Sequence, residues 1–599
     1  MRNYIGLSCS LHDPALAIVD SAGRVVFAEA TERQLQDKRA FNNPPDGANR
    51  VHRLIERYAE PGAQLVLART WTPGNQDKDV HILQLFDRVE RERAGENRAP
   101  WNSEDRDELA RWGLNTDDLC GEGVGYLLAF YRCLATSAIQ SIAQAGLNLQ
   151  YRVRESSPDW AGDLIVRNHD HHTTHAATAC YTSPFDNALC AIMDGSGEDI
   201  ANTFFRYRNG RLEHIPTPEG RGLGSLGFFY WHLCWACGFD PFKGEEWKVM
   251  GLAPYGRFDQ ALYDLMRPML DCRGLALKLA PDYAARLGQL LRLRRPQQEP
   301  MAAADLAHTG QQVFADVSVE MLRTLHQLGG SDNLVLSGGC ALNSAWNGRI
   351  LQETPFSQMH VFSAPADDGN AIGAALLSYQ QDHPDERRPP KCQSPYLGQE
   401  MDPGALSRAV SLGGLRSTLP PGADICRRTA EILARGKCVG WVQGRAEFGP
   451  RALGNRSILA DPRDPGMKDR LNARVKFREA FRPFAPSILH EHGADYFEDY
   501  CESPYMERAL RFRESVRHLV PAVVHVNGTG RLQSVRREWN PRYHDLIACF
   551  YELTGVPLLL NTSFNIMGKP IIHSVEDAVA VFFTTGLDAL VIGDRLFEK

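Results

Sequence analysis

The chain has 599 residues, 43% of them hydrophobic and 23% charged, which is too long for a single core and predicts two or more domains. A formal net charge of −7 disfavours a nucleic-acid partner, which needs a basic face. No apolar run reaches the ~18 residues of a membrane-spanning helix, and 14 scattered cysteines with one CxxC, Cys234 and Cys237, read as reduced thiols of a cytoplasmic protein rather than a disulfide framework.

The opening "MRNYIGLSCSLHDP" lacks the apolar core of a secretory signal. It reads as a strand to Ser8 and a polar turn, followed by strands at Ala15–Val19 and Arg24–Ala28. In "NHDHHTTHAATACYTSP", residues 168–184, Asp170 is a plausible N-cap and Pro184 a stop, so a helix is expected between them. On that helix His171 and His175 share a face one turn apart, where two imidazoles can grip one metal ion and a carboxylate from elsewhere can complete the site. By spacing alone a solvated histidine pair reads as well, and His169 and His172 point elsewhere.

Residues 188–215 repeat the opening plan: a strand ending at Asp194, a Gly-Ser-Gly turn, a strand around Asn202–Tyr207, an Asn-Gly turn and another strand. Small-residue turns bring backbone N–H groups close to phosphate. Two copies predict a pseudo-twofold α/β fold with a nucleotide in its cleft, with Asp13 and Asp194 facing that cleft from strand ends, where carboxylates can hold a metal or orient a water. Two unrelated hairpins are the alternative. "GLGSLG" (Gly222, Gly224, Gly227) matches a dinucleotide pattern but lacks the preceding strand that reading needs.

Residues 332–350 run from a strand into Gly338 and Gly339, where a backbone can approach a ligand, and then into a helix past Asn343. Asp367 and Asp368 head a small-residue helix; one of them fits a simple N-cap. The charged, Pro-rich stretch 380–395 is the expected linker, dividing the chain into 1–385 and 386–599. Beyond it "KCVGWVQ", "VPLLLNTSF" and "ALVIGD" read as strands. Between 444 and 483 ten Lys/Arg face five Asp/Glu, mostly among Gly and Pro, which suits an oxyanion site. Arg445, Arg456 and Arg478 are left open between solvated and structural roles. Asn561, Thr562 and Ser563 follow an apolar strand, where ligand groups are commonly presented.

The strings "DHHTTHAATA", "DGSGED", "GEEWKVMGLAPYG", "LSGGCALN", "DDGNAIGAAL", "GRAEFGPRALGNRSILADPR", "KFREAFRPFAPSIL" and "NTSFNIMGKPI", in this order, resemble the O-carbamoyltransferases of antibiotic and nodulation-factor biosynthesis. The resemblance spans nearly the whole chain except residues 40–120, for which acceptor selection and a homodimer contact are both open. It implies an actin/Hsp70-like duplicated ATPase fold, similar to the tRNA-threonylcarbamoyl transferase, followed by a YrdC-like α/β domain that forms carbamoyl-adenylate. By resemblance, iron(II) is held by His171, His175 and Asp367. His12 is the base for the acceptor hydroxyl. Arg451 and Lys476 act on carbamoyl phosphate, and Arg482 and Arg531 bind phosphate. The cofactor-binding set is completed by Asp194, Gly338, Gly339, Asn343, Asn561, Thr562 and Ser563. The implied reaction uses carbamoyl phosphate and ATP with Mg2+ to make carbamoyl-AMP, then carbamoylates a hydroxyl of a small-molecule natural product. A tRNA-modifying carbamoyl transferase and a non-catalytic, nucleotide-switched interaction module are the rival readings.

Overall fold

The computed structural model describes residues 1–96, 99–156, 164–217, 224–293, 299–386, 388–420 and 422–599. Strands Arg2–Ser8 (β1), Ala15–Val19 (β2) and Val25–Ala30 (β3) form an antiparallel meander. Gln64–Thr70 (β4) and Ile165–His169 (β5) extend it in parallel, in the order β3-β2-β1-β4-β5. A second meander follows from Asn187–Met193 (β6), Asn202–Arg208 (β7) and Arg211–Ile215 (β8). The turn between β7 and β8 uses Asn209 and Gly210, both at positive φ (47° and 85°), as a two-residue hairpin with the twist of its strands requires. A separate hairpin, Leu270–Arg273 (β9) with Ala276–Leu279 (β10), precedes the parallel strands Asn333–Ser337 (β11) and Gln358–His360 (β12). The second sheet runs β12-β11-β6-β7-β8.

Both sheets therefore have the same order and the same strand senses: a three-strand meander, then two parallel strands on its first-strand side. This is the expected duplication, and it gives a duplicated α/β architecture of the actin/Hsp70-like kind. Strands β1, β2 and β6 are buried almost throughout, as strands covered on both faces must be. Gly6 shows how closely the cover sits, because a Cβ there would lie 1.8 Å from the carbonyl oxygen of Ala371 at the start of helix Asn370–Asp382.

The chain divides into two compact units. The first comprises residues 1–31, 39–342 and 349–393; the second comprises 32–38, 343–348 and 394–599. The division falls after Gln393 rather than after 385 because the Pro-rich stretch is strapped to the first unit. Arg388 donates to Phe185 O at 3.2 Å and Lys391 to Pro184 O at 2.6 Å. The two short segments join the second unit through bonds such as Arg33 Nη2 to Gly449 O and Asn347 Nδ2 to Glu507 O.

The second unit carries one mixed sheet of Val439–Val442 (β13), Arg456–Ala460 (β14), Ala485–Leu489 (β15), Arg508–Arg511 (β16), Thr529–Val535 (β17), Leu558–Ser563 (β18), Ala589–Ile592 (β19) and Arg595–Glu598 (β20). Its order is β16-β17-β15-β18-β14-β13-β19-β20. Trp441, Ile458, Leu559 and Phe550 belong to its core. Among the described residues no helix is long and apolar enough to cross a membrane.

Candidate metal centre and anion site

Helix His171–Thr182 begins where the sequence places it, with Asp170 accepting the N–H of Thr173 at 2.8 Å. Eleven of its twelve residues are buried, which removes the solvated reading of the histidine pair. Helix Asn370–Asp382 crosses it backbone to backbone. A Cβ on Gly373 would meet Thr174 O at 2.0 Å, and Thr178 Oγ1 donates to Gly369 O at 2.8 Å. That crossing brings Asp367, in the turn ahead of the second helix, to His171 and His175. The end of β6 adds Asp194.

One ligand atom from each of His171, His175, Asp194 and Asp367 lies within 4.8 Å of the other three, and all four residues are buried. His171 Nε2 is 3.5 Å from Asp194 Oδ2 and 3.6 Å from Asp367 Oδ1; His175 Nε2 is 3.3 and 3.4 Å from the same oxygens. Yet His175 Nε2 makes no hydrogen bond among the described residues. Its lone pair and those of the carboxylates converge on a shared point rather than on one another. Ligands of one first-row ion at about 2.1 Å sit about 3.0–3.4 Å apart, so the set fits a divalent cation with N and O donors. Burial disfavours charge on His171, but Asp194 and Asp367 outweigh it and raise that imidazole to about 10. His175 moves the same way for the same reason. Burial works against the carboxylates too, and the histidines overcome it, holding Asp367 well below the usual range. The cluster demands positive charge.

The supports of the cluster are specific. Ser337 Oγ lies 3.4 Å from His175 Nδ1, turning Nε2 inward, and Gly339 N–H donates to Asp194 Oδ1 at 2.8 Å. Gly338 has φ 91° and lies against Met193 O, which a Cβ would approach to 2.2 Å.

His12 stands in a strained corner of the same unit. Asp13, Arg39, Ala40 and Asn42 all take positive φ (55°, 62°, 41° and 55°), and non-Gly outliers of this kind cluster at functional sites. His12 Nδ1 is 2.8 Å from Asp13 Oδ2, and Arg39 reaches Asp13 Oδ2 and His12 Nε2, both at 3.5 Å. Arg39 also pairs with Glu246 at 3.3 Å. Asp13 fixes Nδ1 as the donor, which leaves Nε2 the basic nitrogen.

The second unit gathers cations. Lys476 ends a π-turn, Asn472–Lys476, and Phe477 after it takes φ 48°; π-turns are rare and frequent at functional sites. The Lys476 ammonium donates to Ser563 O at 2.7 Å and Asn565 O at 3.1 Å, and contacts the side-chain oxygens of both residues. Burial, then Arg478 and Arg482, push its pKa well down. Burial lowers Arg451 to about 10; burial, then Arg482, lowers Arg478 to about 9; burial, then Arg451 and Arg478, lowers Arg531 strongly. Arginine stays charged at neutral pH, so these shifts express the cost of burying and crowding like charges. Glu447 rigidifies the loop that carries Arg451, its Oε1 accepting the N–H groups of Leu453, Asn455 and Arg456 at 2.7, 2.8 and 3.0 Å.

Comparison with known proteins follows the same division. The profile described as Carbamoyltransferase N-terminus matches residues 157–376, and that described as Carbamoyltransferase C-terminus matches 430–599. Nodulation protein NolO of Bradyrhizobium diazoefficiens is 38% identical over 440 residues, covering 72% of this chain and 79% of that protein. The chain belongs to the carbamoyltransferase family. Nodulation protein U of Rhizobium fredii is 29% identical over 605 residues, 95% of this chain and 90% of that protein. Among solved structures, full-length HypF in its phosphate- and nucleotide-bound form is 12% identical, with a TM-score of 0.32 over 63% of this chain and 55% of that one.

This carbamoyltransferase brings some of the expected site residues together and gives others different work. Asp367, not Asp368, joins the two histidines and Asp194; Asp368 accepts the N–H of Gly369 at 3.0 Å. Asp194, expected at a cleft-facing strand end where a carboxylate can hold a metal or orient a water, faces both histidines. The amide of Gly339, expected near a bound ligand, is taken by Asp194. Asn343 caps helix Ser344–Glu353 through the N–H of Trp346 at 3.1 Å. Asn561 is buried, its Nδ2 donating to Ser487 Oγ, Gln533 Oε1 and Ala452 O at 3.0, 3.1 and 3.2 Å, so its amide braces the loop beside Arg451. Thr562 and Ser563 are half-buried at the end of β18. Arg482 pairs with Glu479 at 3.0 Å. Of the arginines left open, Arg456 is fully buried on four carbonyls and Arg445 donates to Gly398 and Leu397 carbonyls; Arg478 joins the cation cluster. His169 and His172 bond Ser378 at 2.8 Å and Thr203 at 2.6 Å. Of the set-aside GLGSLG string, Gly222 lies outside the described residues. Arg39 escaped the sequence reading, since only the fold brings it to His12.

Proposed function

We propose that the chain is an ATP-dependent O-carbamoyltransferase that activates carbamoyl phosphate in the second unit and transfers the carbamoyl group in the first. The observation that carries this reading is the cluster of buried cations formed by Lys476, Arg478 and Arg531, each lowered in pKa by burial and by neighbouring cations, a crowding that a bound polyanion relieves and a neutral substrate does not. Carbamoyl phosphate and ATP, with its Mg2+, are such polyanions. Carbamoyl phosphate loses phosphate to water and leaves carbamate. A carbamate oxygen then attacks the α-phosphorus of ATP, giving carbamoyl-AMP and pyrophosphate. Fixed cations stabilise the charge that develops on the phosphoryl oxygens.

In the first unit His171, His175, Asp194 and Asp367 would hold a divalent cation, with iron(II) the choice by family resemblance; it supplies Lewis acidity toward the carbamoyl oxygen. His12 Nε2 removes the proton of the acceptor hydroxyl, with Asp13 steadying the imidazolium that forms. The acceptor oxygen attacks the carbamoyl carbon and AMP leaves. The acceptor we propose is a hydroxyl of a small-molecule natural product. The test is pyrophosphate release from ATP by the full chain. It should require carbamoyl phosphate and disappear in Lys476→Ala. Equal release without carbamoyl phosphate would defeat the proposal.

A further inference from the structure

Trp71 has an abnormal backbone geometry. It follows β4 directly and takes φ 75°, a left-handed value that is a genuine outlier for a bulky residue. The chain is tied down on both sides of it. Ahead of it, Cys9 N–H donates to Thr70 Oγ1 at 3.3 Å and Cys9 Sγ to Thr70 O at 3.2 Å. Behind it, Thr72 N–H donates to Glu198 Oε1 at 2.6 Å and its hydroxyl bonds Glu198 Oε2. Glu198 belongs to the turn that begins at Asp194, while Cys9 opens the turn that carries His12. Trp71 is thus clamped between the turn that follows Asp194 and the turn that carries His12.

The clamp lays the indole flat on His171, with ring centroids 4.1 Å apart and planes inclined by 16°. Trp71 is 8% exposed, and its Nε1 makes no hydrogen bond among the described residues; stacking and apolar packing place the ring, not a polar anchor. His171 Nδ1 makes none either. That is unusual, because a metal-binding imidazole is ordinarily oriented by a hydrogen bond at its other nitrogen. His175 has Ser337 near that nitrogen; His171 has Trp71 against its face.

We propose that Trp71 is a positioning residue of the metal centre, its stacked indole replacing the hydrogen bond that would otherwise orient His171. The proposal rests on His171 being a ligand, as read above. Cobalt(II) binding to the full chain tests it, by equilibrium dialysis and by the ligand-field absorption of the bound ion. Trp71→Ala should weaken cobalt binding about 10–100-fold, the range for removing an orienting partner, and alter the absorption band. Trp71→Phe, which keeps a ring to stack, should restore both; Trp71→Leu, which fills volume without one, should not, at an unchanged melting temperature. Wild-type affinity and spectrum in Trp71→Leu would overturn the assignment, as would equal losses in the Phe and Leu variants. The metal reading fails by a different result: no stoichiometric cobalt on the wild-type chain, or undiminished uptake by His175→Ala.

Discussion

Arg451, in a loop, and Arg456, at the start of β14, stand five residues apart and do different work. Arg456 is fully buried, and its guanidinium holds four backbone carbonyls. Removing it strands those acceptors, at about 1–3 kcal/mol for each that finds no water. Arg456→Ala should therefore lower the melting temperature of the chain by several degrees. Arg451→Ala should leave that temperature near wild type while cutting carbamoyl phosphate-dependent pyrophosphate release by about 10²–10³-fold, the scale of one lost donor to developing charge. Thermal unfolding and a pyrophosphate assay on both variants separate the two roles. Spacing distinguishes neither arginine, because burial is decided by β14 pairing with β13 and β18. The histidine pair was more legible. Its N-cap, its i, i+4 spacing and a turn with two aspartates lie on the surface of the sequence, although which aspartate turns inward does not. The strand end predicts that Asp194 faces the cleft, but its convergence on His171 needs β6 and the histidine helix packed together.

At the scale of elements, the centre depends on two helices touching at Gly373. A side chain there would drive the histidine helix away from Asp367, since the opposing atom is the backbone carbonyl of Thr174. Gly373→Val should cost about 1–3 kcal/mol from overpacking, and it should weaken metal binding as well, measured by dialysis. A variant that loses stability but keeps metal affinity would show that the crossing does not set the ligand geometry. The meanders could be read from short apolar strands and the turns between them, Ser-Ala-Gly in the first and Asn-Gly in the second. The π-turn that delivers Lys476 could not, because nothing in "LNARVKF" departs from an ordinary helix end. The strained corner around His12 was equally hidden, since Arg39 meets it only through tertiary contact.

Across the whole molecule, each unit buries a neutral histidine, that of the second unit beside Arg531 of its cation cluster. Burial lowers His232 to about 3, with Nδ1 2.8 Å from Tyr283 Oη, and burial with Arg531 beside it lowers His525 to about 3. Each has a folded pKa below the ordinary 6.5, so its neutral form favours the folded state. That stability is present above about pH 6.5 and is lost as pH falls toward about 3. The melting temperature should drop steadily below pH 6.5, and His232→Phe should flatten part of that slope. The matching strand orders of the two sheets are the duplication, and the separate core of the second unit fits the two chemistries proposed for one chain. The most direct test of that division is one variant assayed twice: His175→Ala with carbamoyl phosphate, ATP and a panel of hydroxylated small molecules. Pyrophosphate release should continue near the wild-type rate while carbamoylation of every acceptor that the wild type accepts falls by about 10²-fold or more. Carbamoylation at the wild-type rate would contradict a metal centre at His175, and loss of pyrophosphate release would contradict the division of labour between the units.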